Sequence, residues 1–175
     1  MEVREIEKLV DDYGKAVYGF CRKLTVNSYD ADDLYQQTFL KALEVADRIN
    51  RNENPKAFLI SLSIGIWKNQ IRKEVRHQSI APTTAITDEN EEFLPSNFNV
   101  ETTVISNELK IAVNQILNTL EDKFRLPLLL YYTAEMPLES IAKAMKCPKG
   151  TIKSRLHKGR MLVKEKLEEN YDEKR

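Results

Sequence analysis

Apolar residues near the N-terminus recur with the period of an α-helix, and the pattern continues in further segments. The first predicted helix has one apolar face over five turns, formed by Ile6, Leu9, Val10, Tyr13, Val17, Phe20 and Leu24. The polar segment 25–30 ends it, and a second helix is predicted from about Asp30 to about Ala46, because a carboxylate favours a helix N-terminus. Pro55 suits the first turn of the next helix.

The third predicted helix, about 56–77, carries two apolar stripes roughly 90° or more apart. One stripe consists of Leu59, Leu62 and Ile66, and the other of Ile60, Ile64, Trp67 and Ile71. A helix that is apolar on two sides is expected to be covered on both. Between the stripes lies a polar band, a candidate binding surface, formed by Ser61, Gly65, Lys68, Asn69 and Arg72.

Periodicity vanishes over 78–103, which contains two prolines and five acidic residues but no basic one. Such a stretch is longer than most loops inside compact domains and predicts a flexible acidic linker. We therefore divide the chain into a domain at 1–77, a linker at 78–103 and a domain at 104–175. Helical patterns return near 104–119 and continue to the end of the chain without useful β-alternation, so the predicted fold is all-α, with two small helical domains.

A helix-turn-helix is predicted within 138–167. Its first helix has the apolar face Leu138, Ile141, Ala142 and Met145, the turn is KCPKG, and the second helix has the stripe Ile152, Leu156, Gly159, Val163 and Leu167. In this motif the second helix enters the major groove of DNA.

Charge is segregated, although the formal net charge is zero. Residues 138–164 hold eight Lys or Arg against one acid, Glu139. The candidate DNA-binding residues lie opposite the second apolar stripe or at its edges: Lys149, Thr151, Lys153, Ser154, Arg155, His157 and Lys158. A face without acids fits a line of phosphates, whereas the alternative is a basic face that is merely solvated.

Catalysis, metal binding and membrane insertion have little support in the sequence. The two cysteines and two histidines lack zinc-ligand spacing, and no phosphate-binding glycine loop or hydrolase motif occurs. We therefore expect no enzyme activity and no cofactor. The absence of an apolar run of ~18 residues and the acidic N-terminus predict a cytoplasmic protein without membrane insertion.

Three segments resemble the extracytoplasmic-function, or group IV, sigma factors of bacterial RNA polymerase. The helix-turn-helix segment resembles their C-terminal domain, "IA…G…GTVKSRLHRAR", although related domains occur in response regulators. DADDLYQQTFLKAL (30–43) is similar to the family's DAEDLVQETFLKAL, and 55–73 is similar to RAWLFRIARNLAIDHLRR. The matches occur in the family's order.

The resemblance implies a role for each segment. Core RNA polymerase, through its β′ clamp, would be bound by Asp32, Asp33, Gln36 and Gln37. The −10 promoter element would be bound by Arg48, Asn54, Lys56, Ser61, Gly65, Lys68, Asn69 and Arg72, with a flipped-out base held by the loop 48–54. The seven helix-turn-helix residues would contact the −35 element. The chain departs from the family at Ile64 and Gly65, where Arg and Asn are usual, at Asn69, where Asp is usual, and at Phe58, where Trp is usual.

The expected function is that of an alternative sigma factor, which binds core RNA polymerase (β′ clamp and β flap) and promoter DNA and is restrained by an anti-sigma factor. The acidic linker would mimic nucleic acid in the polymerase channels. Two other functions stay open at this point. One is a stand-alone helix-turn-helix regulator with an N-terminal sensing or dimerisation bundle, and the other is a protein-binding adaptor.

Overall fold

A computed structural model describes residues 3–49, 54–80 and 104–172 of the chain. The chain divides into two compact units, Met1–Glu91 and Glu92–Arg175. The described residues form α-helices, one 3₁₀ turn, one π-helical turn and short connections, with no strand among them. The all-α prediction is confirmed. The predicted flexible linker lies outside the described residues, except for its first three positions.

Unit 1 contains three helices, α1 (Val3–Leu24), α2 (Ser28–Glu44) and α3 (Pro55–Ile80), with a 3₁₀ turn at Ala46–Arg48. α2 begins two residues before the predicted start because Asn27 caps it: Asn27 Oδ1 accepts a hydrogen bond from the Asp30 backbone N–H at 2.8 Å. Asn27 Nδ2 donates in return to the Asp30 carboxylate at 3.0 Å. α3 continues three residues beyond its predicted end.

The core of unit 1 lies where the three helices pack on one another. Its fully buried side chains include Val17 and Phe20 of α1, Leu34 of α2 and Ile60 of α3. The core also contains polar groups, since Thr38 Oγ1 lies 3.1 Å from Ser63 Oγ and both residues are buried. Each hydroxyl also lies within hydrogen-bond distance of the backbone carbonyl one turn earlier in its own helix.

The second apolar stripe of α3 is covered only in part, so the prediction that this helix is covered on both sides is met only in part for the described residues. Ile60, Ile64 and Trp67 of one stripe are buried, whereas in the other stripe Leu59 is fully buried and Leu62 and Ile66 are half-buried. The physical reason is that α1 and α2 are the main described packing partners of α3 within unit 1.

Unit 2 contains α4 (Val104–Thr119), α5 (Asp122–Leu128), a π-helical turn (Leu129–Thr133), α6 (Leu138–Met145) and α7 (Lys149–Asp172). α7 packs against the three other helices. It lies close to α5 at Gly159, where a side-chain Cβ would lie 2.9 Å from Leu128 Cδ1. Residues 125–130 are all buried and form the centre of this unit.

Pro127 lies inside α5, one residue before that helix ends and the chain widens into the π-helical turn. The Ala134 backbone N–H donates to the Leu129 carbonyl at 3.0 Å, a bond that spans five residues instead of four. No helix among the described residues is both long and apolar enough to cross a membrane.

Candidate nucleic-acid and partner interfaces

The turn between α6 and α7 has the geometry of a helix-turn-helix. α6 ends at Lys146, which adopts the left-handed conformation (φ 51°), and the Cys147 N–H donates to the Ala142 carbonyl at 3.1 Å. α7 then begins at Lys149, directly after Pro148. Ile141 of α6 is buried, as are Ile152 and Leu156 of α7. The two helices are therefore held together by the apolar faces that the sequence predicted.

The outward face of α7 carries the candidate DNA-binding residues. Five of them are exposed, namely Lys149, Lys153, Ser154, His157 and Lys158, and two are half-buried, Thr151 and Arg155. Ser154 Oγ donates to the Gly150 carbonyl at 3.1 Å. Arg155 Nη1 lies 4.0 Å from Cys147 Sγ, so Arg155 leans back over the turn instead of pointing straight out.

One predicted phosphate contact has an internal partner. Lys149 Nζ donates to the carboxylate of Glu139 on α6, and the two form an ion pair. The hydrogen bond from Lys149 holds the pKa of Glu139 below its ordinary value, and the positive charges of Lys149 and Lys153 act in the same direction. The single acid of this basic segment thus neutralises part of one edge of the face.

The outer face of α2 presents the four candidate polymerase-binding residues. Asp32, Asp33 and Gln36 are exposed, and Gln37 is half-buried. Beside them an open groove of about 360 Å³ lies between α1 and α2, lined in part by Gly14, Tyr18, Asp32 and Gln36.

Both carboxylates of this face are hydrogen-bonded to other helices of unit 1. Tyr18 of α1 donates its hydroxyl to Asp32 Oδ1 at 2.8 Å. Asp33 Oδ2 accepts hydrogen bonds from Gln37 Nε2 at 2.7 Å and from Gln70 Nε2 of α3 at 3.2 Å. The hydrogen bond to Asp32 raises the pKa of Tyr18, and partial burial of the hydroxyl raises it further.

The candidate −10 residues differ in exposure and in the element that holds them. Three of the polar band are exposed on α3, Gly65, Asn69 and Arg72, and three residues are half-buried, Lys56, Ser61 and Lys68. Asn54 caps α3, since its Oδ1 accepts from the Ala57 backbone N–H at 3.0 Å. Arg48 is the last residue of the 3₁₀ turn. Residues 50–53 of the predicted base-holding loop lie outside the described residues.

Sequence reasoning missed an apolar groove in unit 2. Its volume is about 460 Å³, and its walls include Val113 and Leu117 of α4, Tyr132 of the π-helical turn and Val163 and Leu167 of α7. Val163 and Leu167 were predicted to be buried with Ile152 and Leu156, but they are only half-buried. The apolar stripe of α7 could have predicted this groove, because an apolar stripe that continues beyond the helix it packs on leaves an exposed apolar surface.

Two family comparisons match the two units in order. Sigma-70 region 2 matches residues 9–77, and Sigma-70 region 4 matches residues 116–165. The chain is 27% identical over 163 residues to the ECF RNA polymerase sigma factor SigW of Bacillus subtilis, covering 91% of this chain and 87% of SigW. The chain belongs to the extracytoplasmic-function sigma factors. It is therefore an alternative sigma factor, which binds core RNA polymerase and directs promoter-specific transcription.

Other relatives agree with this family. The sigma factor is 27% identical over 146 residues to the ECF sigma-E factor of Escherichia coli, covering 82% of this chain and 76% of that protein. Its fold is similar to that of the sigma factor RpoE of Bartonella quintana, solved in complex with the anti-sigma factor NepR (TM-score 0.79, 24% identity, 95% and 98% of the two chains). CnrH, solved in complex with the cytosolic domain of CnrY, is also similar (TM-score 0.67, 17% identity, 95% and 90% of the two chains).

These matches decide between the functions that the sequence left open. A stand-alone regulator or an adaptor would not require region 2 in the N-terminal half, whereas a sigma factor does. Members of this family are DNA-binding regulators and not known enzymes.

Proposed function

We propose that this sigma factor binds the −35 element through α7, the −10 element through α3 and core polymerase through α2. The observation that carries the proposal is the two-sided character of α7: its apolar side is buried against α5 and α6, while its basic side is exposed. We further propose domain limits of 1–77 and 104–175, with the acidic stretch 78–103 as the connection, and a cytoplasmic location without catalytic activity.

At the −35 element, Ser154 and Lys158 lie at the centre of the exposed face of α7 and would reach base edges. Their neighbours Thr151, Lys153 and His157 flank them, while Lys149 and Arg155 lie at the edges, where phosphates would be met. The helix N-terminus adds a favourable field for a phosphate, because its first N–H groups lack partners within the helix.

At the −10 element, the exposed band of α3 would contact the separated strand. Arg72 and half-buried Lys68 supply positive charge, and Gly65 has no atom within 4 Å of the position that a Cβ would occupy, so a nucleotide could approach the backbone. Asn54 would act indirectly, since its side chain caps α3. Because Ile64 is buried and Gly65 has no side chain, the contacts differ from those of relatives with Arg and Asn at these positions.

Core polymerase would be bound at two places. The outer face of α2 offers two carboxylates and two amides to the β′ clamp, as the family resemblance implies. In unit 2 the apolar groove between α4, the π-helical turn and α7 is the described surface best suited to an apolar element of the β flap, because exposed apolar patches mark protein-binding sites.

An anti-sigma factor is the proposed regulator. The Bartonella RpoE structure, similar in fold, contains its anti-sigma factor NepR. A protein that covered the α2 face or the unit 2 groove would prevent polymerase binding until it was removed.

A pair of double variants tests the assignment of the two faces. Lys153→Glu with Lys158→Glu places acids against phosphates, so transcription from a −35-dependent promoter is expected to be abolished while polymerase affinity is unchanged. Asp33→Ala with Gln36→Ala is expected to do the reverse: it should weaken polymerase affinity before it affects binding at the −35 element. The measurements are run-off transcription and fluorescence binding to core polymerase.

The matched control for the lysine pair is Lys8→Glu with Lys110→Glu, which makes the same charge change at exposed positions of α1 and α4. This control should retain −35-dependent transcription. If all three double variants behave like the parent, the proposed faces are wrong.

A further inference from the structure

The two acidic residues of the α2 face are held by hydrogen bonds from other helices, and the family resemblance gives no role to the residues that donate them. Asp32 and Asp33 are neighbours, yet each is hydrogen-bonded by a residue from a different helix, Tyr18 of α1 and Gln70 of α3. These contacts join residues 14 and 37 positions apart in the chain. The face that would meet polymerase is therefore tied to all three helices of unit 1.

Each carboxylate uses one oxygen for these internal bonds. Asp32 accepts from Tyr18 through Oδ1, and Asp33 accepts from Gln37 and Gln70 through Oδ2. Within the described part of the chain, Asp32 Oδ2 and Asp33 Oδ1 accept no hydrogen bond. Since an ionised carboxylate can accept on both oxygens, each side chain is held by one oxygen and presents the other.

The donors themselves are well placed to hold these orientations. Tyr18 packs edge-on against Tyr35, with the ring centroids 5.5 Å apart, and Tyr35 packs in turn against Phe39. Gly14 makes room for this cluster, because a Cβ at that position would lie 2.8 Å from the Tyr35 hydroxyl. Gln70 lies one turn after Ile66 on α3, the helix that carries the candidate −10 band.

We propose that Tyr18 and Gln70 are positioning residues, which fix Asp32 and Asp33 so that their free oxygens accept hydrogen bonds from donors on core polymerase. The inference rests on the proposed function of the α2 face. Through Gln70 the polymerase-binding face is connected to the helix assigned to the −10 element, so the position of α3 affects how Asp33 meets polymerase. Neither donor needs to touch polymerase itself.

The test removes each donor while keeping the shape of its side chain. Tyr18→Phe and Gln70→Met are each expected to weaken binding to core polymerase by about 2- to 5-fold, the effect of losing one hydrogen bond. Binding is measured without DNA by fluorescence titration of the full-length chain. The matched controls, Tyr13→Phe on α1 and Gln78→Met on α3, are expected to bind like the parent. Circular dichroism melting of every variant excludes a loss of folding.

Double-mutant cycles separate positioning from other effects. In an Asp32→Ala background Tyr18→Phe is expected to have no further effect, and in an Asp33→Ala background the same holds for Gln70→Met. If a donor variant weakens binding as much in its alanine background as in the parent protein, it acts without the carboxylate and the inference is overturned.

The failure of the inference can be told apart from failure of the proposed function. If Asp32→Ala and Asp33→Ala weaken binding but Tyr18→Phe and Gln70→Met do not, the α2 face stands and the positioning role is wrong. If neither alanine variant weakens binding, the face itself is wrong, and the positioning role is overturned with it.

Discussion

Glu139 and Lys149 meet at the edge of the face assigned to DNA, and their contact sets the charge that this edge presents. The hydrogen bond from Lys149 holds the pKa of Glu139 below its ordinary value, which favours the ionised, paired carboxylate. The contribution of this ion pair to stability is present at pH values above the ordinary carboxyl pKa. It is lost as pH falls through the lower pKa of the folded protein. A phosphate at this position would have to compete with Glu139 for the lysine.

Glu139→Gln is therefore expected to strengthen the binding of polymerase holoenzyme to a promoter. Releasing Lys149 adds up to one phosphate contact, so the log–log salt dependence should steepen by roughly 0.9. Gel-shift titrations at several salt concentrations measure the slope. Glu165→Gln, an exposed acid on α7, is the control for net charge. Equal slopes for Glu139→Gln and the parent would contradict a role for Lys149 at a phosphate.

The two cysteines are expected to differ strongly in reactivity. Cys21 is fully buried, and burial raises its pKa to about 11, so its thiol stays protonated at neutral pH, whereas Cys147 is half-exposed. Alkylation followed by mass spectrometry should label Cys147 rapidly and Cys21 only on unfolding of unit 1. The protection decreases as pH rises towards the folded pKa of about 11. Equal labelling rates in the native protein would contradict the burial of Cys21.

At this scale the sequence predicts which side chains face outward but not what they contact. Period and charge place Lys153, Ser154 and Lys158 on the outer side of α7 without any structure. The bonds from Tyr18 to Asp32 and from Gln70 to Asp33 depend on how separate helices cross, and a periodic pattern contains no such information.

The helices differ in how much of each apolar stripe is covered by neighbouring helices. α3 leaves Leu62 and Ile66 only half-buried, and the C-terminal half of α7 leaves an apolar groove open beside α4. The sequence predicts both stripes correctly as apolar but not which of them is covered, because coverage depends on the positions of the other helices. The sequence does not predict the π-helical turn after Pro127 either, since an apolar pattern over so short a stretch does not distinguish it from an α-helix.

Two glycine substitutions test helix packing with opposite expected signs. Gly159→Ala places a methyl group 2.9 Å from buried Leu128 Cδ1, and overpacking outweighs the gain in helix propensity, so a loss of about 1 kcal/mol is expected. Gly19→Ala, at an exposed position of α1, meets nothing within 4 Å and is expected to gain up to about 1 kcal/mol of stability.

Guanidinium unfolding measures both changes. The fluorescence of Trp67, the only tryptophan, reports unit 1, and circular dichroism reports both units. Stabilisation by Gly159→Ala would contradict the close approach of α7 to α5.

Considered as a whole, the sigma factor consists of two units with separate cores, connected by a stretch that carries five acidic residues and no basic one. The sequence predicts this organisation because periodicity stops and starts again around that stretch. A formal net charge of zero conceals a basic face on unit 2 and acidic residues elsewhere. Each unit has its own candidate surface for DNA and its own candidate surface for polymerase.

The central claim is that the two units bind two separate promoter elements, and tethered DNA cleavage tests it most directly. In a Cys147→Ser background, an iron chelate is attached to Ser154→Cys on α7 or to Asn69→Cys on α3, and holoenzyme is assembled on an end-labelled promoter. Buried Cys21 does not take up the reagent in the native protein. We expect the α7 probe to cut at the −35 element and the α3 probe at the −10 element. Cleavage by both probes at one element, or at neither, would contradict the claim.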